Sequence, residues 1–448
     1  MFETFKNAFK IPDLRRRIFF TIMMLIVFRF GAHIPVPYLS PEAMTQFLGG
    51  GEGGLFDLFS LFDVFTGGAF SNATVMALGV SPYINASIIM QLLAVAIPAL
   101  EKLSKEGVEG RKKINKITRY VGIALALIQG AGLYVTLYNM GVQSGGVDKI
   151  FSDTSVLGFF TIVLTFTAGT AFIVWLGELI TEKGLGNGVS MIIFAGIVSR
   201  IPSGIVAVYQ QFLSDFSMRG LLISLLIAAF AIAAVTFVVF FDSAERRIPV
   251  QYAKRVVGRK MYGGQSTNIP IKVVMGGVMP IIFASSIMAF PATIVRLVSG
   301  GQLPSETSFG GIILGMLSAG FGPGWTDIVY AAIYFLLIIF FTYFYASIQF
   351  NPIELANNIK KSGGFIPAIR PGKPTSDYIA RVSNRLNLAG AIFLGIIAIL
   401  PVILGAIFNM PSLQIGGTSL LIMEGVALET VRQIESQMVM RHYKGFLE

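Results

Sequence analysis

Long apolar runs, separated by short stretches rich in glycine, proline or charge, follow one another along the whole chain. A helix needs about 20 mostly apolar residues to cross the hydrocarbon core of a bilayer, and ten runs have this character. Eight are strongly apolar, whereas the fifth begins with glycine and serine and the last contains Glu424 and Glu429. The predicted spans lie near Ile18–Ile34, Val75–Leu100, Thr118–Leu137, Val156–Ile180, Val189–Val208, Leu221–Phe241, Val273–Leu297, Val329–Phe350, Leu388–Phe408 and Ser419–Val431.

Basic residues are distributed unevenly between the loops that these spans define. The chain holds 34 Lys and Arg against 24 Asp and Glu, a formal net charge of +10. With ten spans, 29 of the 34 basic residues fall on the face that holds both termini. The spans and the opposite face hold the others, which are Arg29, Lys149, Arg200, Arg219 and Arg296. Because cytoplasmic loops carry an excess of Lys and Arg, the pattern predicts that both termini are cytoplasmic.

Ten spans divide into two groups of five that meet near residues 202–215. This gives an N-terminal half over residues 1–210 and a C-terminal half over residues 211–448. Because five is odd, the second half enters the membrane from the opposite face, as in the inverted repeats of many transporters. The sequence therefore predicts an all-α polytopic membrane protein with ten transmembrane helices in two pseudo-symmetric inverted halves of five.

Composition narrows the class of protein further. The chain is 54% hydrophobic and 13% charged, with a mean hydropathy of +0.73, whereas soluble domains are about 25% charged. It has no cysteine and two histidines, His33 and His442, which excludes disulfides and thiolate sites and leaves too few imidazoles for a histidine-based metal cluster. The catalytic elbow G-x-S-x-G, the pair H-E-x-x-H and the P-loop do not occur. We therefore expect neither enzyme activity nor a cofactor.

The loop after the first predicted span contains a short apolar segment between glycines. Glycine fills most of residues 49–54, the apolar stretch 55–65 follows, and Gly67 and Gly68 come next. The stretch is too short to cross a bilayer. Two interpretations remain open: a mobile re-entrant plug inside a cavity, or an interfacial helix on the outer leaflet.

The second predicted span carries Pro82, Asn85 and Gln91. Such residues are costly at lipid depth unless they face protein or water. Their presence favours a helix that lines an internal cavity, and ordinary hydrogen bonding between helices is the alternative.

Two loops, Asp242–Lys272 and Asn351–Arg385, are long, basic and punctuated by proline and glycine. Folded basic hairpins would suit docking of an acidic or phosphate-bearing partner. A purely topogenic charge excess beside anionic lipid is the alternative.

Ionisable residues within the predicted spans are sparse, chiefly Arg29, Glu178, Glu424 and Glu429. A secondary transporter for small solutes would share inverted repeats and broken helices, but it would also carry paired charges at mid-membrane depth. The sequence shows no such pairing. It therefore favours a passive conduit or scaffold over a transporter.

Many motifs, in order along essentially the whole chain, carry a family resemblance. The most specific are Thr74–Gln91 and Trp175–Ser190. Shorter ones are Tyr252–Arg255, Gln265–Thr267, Phe283–Ser286, Phe350–Pro352, Lys360–Gly363, Arg370–Gly372 and Gly416–Leu421. On these residues the sequence resembles the SecY family, the pore subunits of bacterial protein-translocation channels. The resemblance implies a ten-helix, two-half channel that conducts unfolded secretory polypeptides and releases transmembrane segments laterally into lipid.

The resemblance also implies a constriction formed by a ring of six apolar side chains. Matching the motifs residue by residue places this ring at Val80, Ile84, Val189, Ile193, Ile282 and Ile422. Stiff β-branched side chains suit the role because they resist wetting and offer a moving chain no hydrogen bonds. The family's ring is rich in isoleucine, so the two valines predict a slightly wider or softer seal.

A plug and a lateral gate follow from the same resemblance. The plug corresponds to Asp57–Asn72, which favours the re-entrant interpretation, with glycines as hinges. Its predicted residues are Asp57, Leu58, Phe59, Leu61, Phe62, Val64, Phe65, Gly67 and Gly68. The gate lies between spans two and three on one side and spans seven and eight on the other. Its candidate polar residues are Asn85, Gln91, Gln129, Ser285 and Ser286.

The two basic loops become, by resemblance, a platform shared by the ribosome and the motor ATPase SecA, which hydrolyses ATP. Arg370 matches the family's functionally sensitive arginine. The further candidate contacts are Arg246, Arg247, Arg255, Arg259 and Lys260. Other expected partners are the SecE and SecG subunits, signal sequences, nascent polypeptides and membrane lipid. The expected location is the bacterial cytoplasmic (inner) membrane.

Glu424 departs from the family pattern, which has an apolar residue two positions past Ile422. It could face the aqueous funnel or pair with a partner helix. Alternatively, the span starts at a different residue, and Ile422 then lies outside the ring.

Overall fold

The computed structural model of the chain describes residues 9–42, 44, 63, 66–143, 146–209, 218–252, 255–257, 260–262, 266–298, 308–317, 325–408 and 416–444. Most of these residues are helical. The helices of the first half are α1 (Pro12–Gly31), α2 (Ser81–Ala96), α3 (Pro98–Lys105), α4 (Val108–Gln143), α5 (Val147–Ile150), α6 (Val156–Lys183) and α7 (Gly188–Val208). Those of the second half are α8 (Met218–Asp242), α9 (Met279–Val298), α10 (Phe309–Leu317), α11 (Trp325–Gln349), α12 (Pro352–Lys361), α13 (Lys373–Phe408) and α14 (Gly416–Lys444).

Each of the ten predicted spans overlaps one or two of these helices. By length and apolar composition, six helices of the described chain could cross a membrane alone, and a seventh span results if α2 and α3 count together. The six are α4, α6, α7, α8, the helical stretch that begins with α11, and α13. The chain is therefore a polytopic, mostly helical membrane protein.

The second predicted span is wrong at both of its ends. Residues 75–80 form turns, and α2 begins only at Ser81, with Pro82 in its first turn, where a missing N–H is harmless. Gly79 just before it has a φ of +56°, a conformation that favours glycine. The helix ends at Ala96, and α3 turns away from it by 101° beside Pro98. Proline thus sets both limits of this span.

Five short strands depart from the all-α prediction. They are β1 (Glu245–Tyr252), β2 (Arg255–Val257), β3 (Lys260–Tyr262), β4 (Ser266–Lys272) and β5 (Gly364–Phe365). They form a three-stranded sheet in the order β4-β1-β5 and a two-stranded sheet of β2 and β3, and each printed pairing is antiparallel. The strands belong to the two basic loops, so the chain is mostly, not entirely, helical.

One apolar core draws side chains from helices along the whole sequence. Its fully buried members include Phe28 of α1, Ile173 of α6, Ile281 of α9, Ile338 of α11 and Leu421 of α14. Helix α8 is different, because only 6% of its apolar window is buried within the chain. Helices that bury one stripe and expose apolar side chains elsewhere fit an apolar surrounding rather than water.

Candidate pore and gate

The six predicted ring residues belong to this apolar core or pack against it. Four are buried members of the cluster, and Ile84 and Val189 are half-buried and pack against it. The buried four are Val80, Ile193, Ile282 and Ile422. They come from the residue just before α2 and from α7, α9 and α14. Val80 and Ile422, which are 342 positions apart in sequence, therefore lie in one cluster.

Local geometry fixes the two ring residues of α7. The Asn187 side chain caps this helix and accepts hydrogen bonds from the backbone N–H groups of Val189 (3.1 Å) and Ser190 (3.4 Å). The cap places Val189 in the first turn and Ile193 one turn later on the same face. An added Cβ at Gly188 would lie 1.9 Å from the carbonyl oxygen of Gly177, so only glycine permits this contact between α6 and α7.

A cavity of about 740 Å³ borders the ring. Its apolar lining includes Ile84, Val189, Ile193 and Ile282. Its charged lining consists of Lys112, Lys116, Arg119, Glu178 and Glu182. Arg119 and Glu178 form an ion pair between α4 and α6, with Nε and Oε1 3.3 Å apart. The cavity therefore combines a charged, wettable wall with the apolar side chains of the ring.

The helices that carry the predicted gate residues contact one another, because α9 packs against both α2 and α4. Among them, Gln91 makes a described hydrogen bond across the seam: the Tyr345 hydroxyl of α11 donates to its Oε1 at 2.7 Å. The Gln91 amide also donates to the Ser87 hydroxyl at 3.0 Å. Ser285 donates to the Ile282 carbonyl within its own helix. Asn85, Gln129 and Ser286 are half-buried.

Tyr345 is a functional candidate that the sequence analysis missed. Its ring packs against Phe283 of α9, with ring centroids 4.9 Å apart, while its hydroxyl reaches Gln91. A buried tyrosine usually finds a partner for its hydroxyl, so a tyrosine within the apolar run of α11 was a signal. The sequence could not name that partner, which lies 254 positions away.

The predicted plug falls partly on the described residues. Asp57, Leu58, Phe59, Leu61, Phe62, Val64 and Phe65 lie outside them. Gly67 and Gly68 are described, with φ values of +66° and +89°. An added Cβ at Gly67 would lie 2.9 Å from the Cα of Gly196, so the turn rests directly on the backbone of α7. Both glycines are thus required by conformation, as turn residues.

The two basic loops form a single unit. Strand β5 of the second loop pairs with β1 of the first, through Gln251 with Phe365 and Tyr252 with Gly364. Beneath the sheet is a small apolar core that includes Ile248, Ile359 and Ile379. The prediction of a second hairpin is wrong, because residues 352–361 are helical and α13 begins already at Lys373, inside the predicted loop.

Three of the predicted docking residues lie exposed on this unit. Arg246 and Arg247 are exposed on β1, and Arg370 is exposed in the turn after β5. The Arg370 carbonyl accepts a hydrogen bond of 2.8 Å from the Thr375 hydroxyl. Arg255 and Lys260 lie on β2 and β3, and Arg259 lies outside the described residues.

Glu424 is buried, with 7% of its surface exposed, on the same helix as Ile422. Its Oε1 atom has no hydrogen-bond partner among the described residues. Ile422 is itself 1% exposed and packs in the ring cluster. The alternative in which Glu424 faces an aqueous funnel is therefore wrong in this conformation.

These features describe a polytopic membrane protein in which apolar side chains from several helices border a charged cavity. The SecY family profile matches residues 74–431 of the chain. A protein translocase subunit SecY of Mycobacterium bovis is 45% identical over 454 residues, with 100% of each chain covered. The chain belongs to the SecY family. It is a protein-conducting channel subunit and not an enzyme, as the sequence predicted.

Solved structures share the fold. One, described for a SecY plug domain that stabilises the closed state of the translocation channel and maintains a membrane seal, has a TM-score of 0.64 and 20% identity. Another, Sec61 in the canine ribosome-channel complex from the endoplasmic reticulum, has a TM-score of 0.62 and 18% identity. Each alignment covers 96% of both chains.

Proposed function

We propose that residues 1–210 and 211–448 form two inverted halves of five spans each around a central pore for unfolded polypeptides. The observation that carries the proposal is the ring: side chains predicted from separate motifs of both halves pack into one cluster. The overlap of all ten predicted spans with helices supports the same architecture.

At rest, the six ring residues and the plug seal this pore. Valine and isoleucine are stiff at χ1, and a constriction lined by them excludes water and ions by dewetting. They also give a moving polypeptide nothing to hydrogen-bond. Val80 and Val189, where the family usually has isoleucine, leave a slightly wider or softer seal. The SecY structure whose description concerns a plug domain supports the assignment of Asp57–Asn72 as the plug.

The lateral gate opens between α2 and α4 on one side and α9 and α11 on the other. In the closed state the bond from Tyr345 to Gln91 joins α11 to α2 across this line. The Phe283 ring of α9 packs against both Tyr345 and Phe341 of α11, so the two helices on this side of the gate are held to each other. A signal sequence has to replace the contacts between the two sides with its own in order to leave for the lipid.

The unit made by the two basic loops is the docking platform for the ribosome and for the SecA motor. Arg246, Arg247 and Arg370 are exposed on it, and guanidinium groups bind phosphate and carboxylate well. The canine relative found in a complex with a ribosome supports this part of the proposal. The chain acts with SecE and SecG in the bacterial cytoplasmic membrane, with both termini in the cytoplasm.

Cysteine crosslinking tests the pore assignment, because the chain contains no cysteine of its own. A secretory chain arrested in transit, with one photo-reactive or thiol-reactive probe, is offered to single-cysteine variants at each of the six ring positions. We expect crosslinks at all six positions. A cysteine at Ile162, which is fully buried in a second cluster away from the ring, is the matched control. Equal labelling of the control and the ring positions would refute the assignment.

A further inference from the structure

Two arginines that the charge distribution leaves outside the cytoplasmic set hold a turn in the second part of the predicted plug, Asp57–Asn72. Arg200 of α7 forms an ion pair with the carboxylate of Asp63. Arg29 of α1 donates from Nη1 to the carbonyl oxygen of Gly67 at 2.5 Å. The same turn is thus held from two helices, and neither contact is needed for membrane topology.

Asp63 organises this turn with both of its carboxylate oxygens. Oδ2 faces the Arg200 guanidinium, and Oδ1 accepts a hydrogen bond of 2.8 Å from the backbone N–H of Ser71. The Asp63 carbonyl accepts another of 2.9 Å from Gly68. Asp63 is only 5% exposed, whereas the Arg200 side chain is 35% exposed. The pair therefore fixes a buried carboxylate to a partly hydrated guanidinium.

The turn packs directly against α7, so the ion pair joins two segments that are already in contact. Gly67 lies against the backbone of Gly196, and the Cβ position of Gly68 is 3.7 Å from Nη2 of Arg200. Ile193 lies about two turns before Arg200 on α7, and Val80 follows the turn in sequence. A movement of this turn away from α7 therefore separates the described part of the predicted plug from the helix that carries Val189 and Ile193.

We propose that the ion pair between Asp63 and Arg200 is an electrostatic latch that sets the free energy of channel opening, a role that rests on the proposed plug. Opening separates the Asp63 carboxylate from Arg200. Unless water then hydrates the carboxylate, it is a buried charge without a partner, which costs free energy. The latch biases the resting channel toward the closed state. It thereby sets how strongly a signal sequence must bind before the plug is released.

The test is a double-mutant cycle on the full chain in its complex, reconstituted in vesicles. The readout is the resting ion conductance per channel. Asp63→Asn keeps the size of the side chain, Arg200→Gln leaves a shorter polar side chain, and both remove the charge. Each is expected to raise the resting open probability about tenfold, the effect of losing one charge-assisted hydrogen bond. The double variant should leak no more than either single variant, because both changes remove the same interaction.

Controls separate the latch from general loss of charge or of structure. Asp148→Asn and Lys149→Gln remove exposed charges from the short helix α5, and they should leave conductance unchanged. Native conductance in both Asp63→Asn and Arg200→Gln would overturn the latch. Multiplied effects in the double variant would overturn it too, because each residue would then act through a separate interaction.

A parallel deletion of Asp57–Asn72 distinguishes failure of the latch from failure of the plug. A leaky deletion variant combined with silent single variants refutes the latch and leaves the plug in place. A tightly closed deletion variant refutes the plug itself, and the latch with it. Leaks in the deletion and in both single variants, with no further leak in the double variant, support both.

Discussion

Removal of one hydroxyl at the seam between α2 and α11 should make the lateral gate easier to open. Tyr345→Phe deletes the donor to Gln91 Oε1, which now lies at 2.7 Å, and keeps the ring that packs against Phe283. The apolar contacts stay, so the change isolates the polar part of the closed seam. Gln91 also keeps its bond to Ser87 within α2.

The expected magnitude follows from the geometry of a single neutral hydrogen bond. Such a bond contributes about 1 kcal/mol net, and the Gln91 oxygen is only partly buried, so water can replace the lost donor. If the bond exists only in the closed gate, its loss shifts the equilibrium between closed and open states by about fivefold toward open. We therefore expect the native bond to help the channel reject weak signal sequences.

The assay is translocation of a reporter protein that carries either an intact or a weakened signal sequence. Tyr345→Phe should raise export of the weakened reporter severalfold and leave the intact reporter unchanged. Tyr343→Phe is the matched control: its hydroxyl donates to the Asn384 carbonyl at 3.3 Å on the exposed side of the same helix. Equal export by both variants, or lower export by Tyr345→Phe, would refute the reasoning.

Three further substitutions test the ring, the platform and the buried carboxylate. Ile282→Asn should raise ion leak through the reconstituted channel severalfold, whereas the leak of Ile282→Val should stay close to native. An unchanged leak in the asparagine variant would contradict the proposal that the ring residues seal the pore. Arg370→Glu should impair translocation but leave insertion of the channel into the membrane intact. The control Lys149→Glu, at an exposed position on the opposite face, should impair neither process. Normal transport by Arg370→Glu would contradict a docking role for Arg370. Glu424→Leu should stabilise the folded protein by about 1–3 kcal/mol, because it removes a buried oxygen that has no hydrogen-bond partner among the described residues. The measurement is the midpoint of thermal unfolding in detergent, which should rise. Glu429→Leu at an exposed position is the control, and an equal rise in that variant would contradict the argument.

Helix positions could be predicted from the sequence because a helix needs about 20 consecutive, mostly apolar residues to cross the hydrocarbon core of a bilayer. The run Val156–Ile180 shows how well this works, since α6 covers Val156–Lys183. The second span shows the limit. Hydropathy continues past Ile97, but the backbone turns there, because Pro98 cannot continue the ladder of hydrogen bonds.

Contacts between distant segments could not be predicted from local patterns. The ion pair of Asp63 and Arg200 joins positions 137 apart, and the bond of Tyr345 to Gln91 joins positions 254 apart. Nothing in the composition of either segment specifies its partner. The six ring residues were predicted from recognisable motifs, whereas the burial of four of them in one cluster is a property of the assembled fold.

The strand pairing between the two basic loops has a mechanical consequence. Strand β1 follows directly on α8, β4 leads toward α9, and β5 lies between α12 and α13, so one small sheet joins the ends of four helices. Its hydrogen bonds make the sheet stiff compared with a free loop. We therefore expect a force applied to either loop to reach α9 and α13 together.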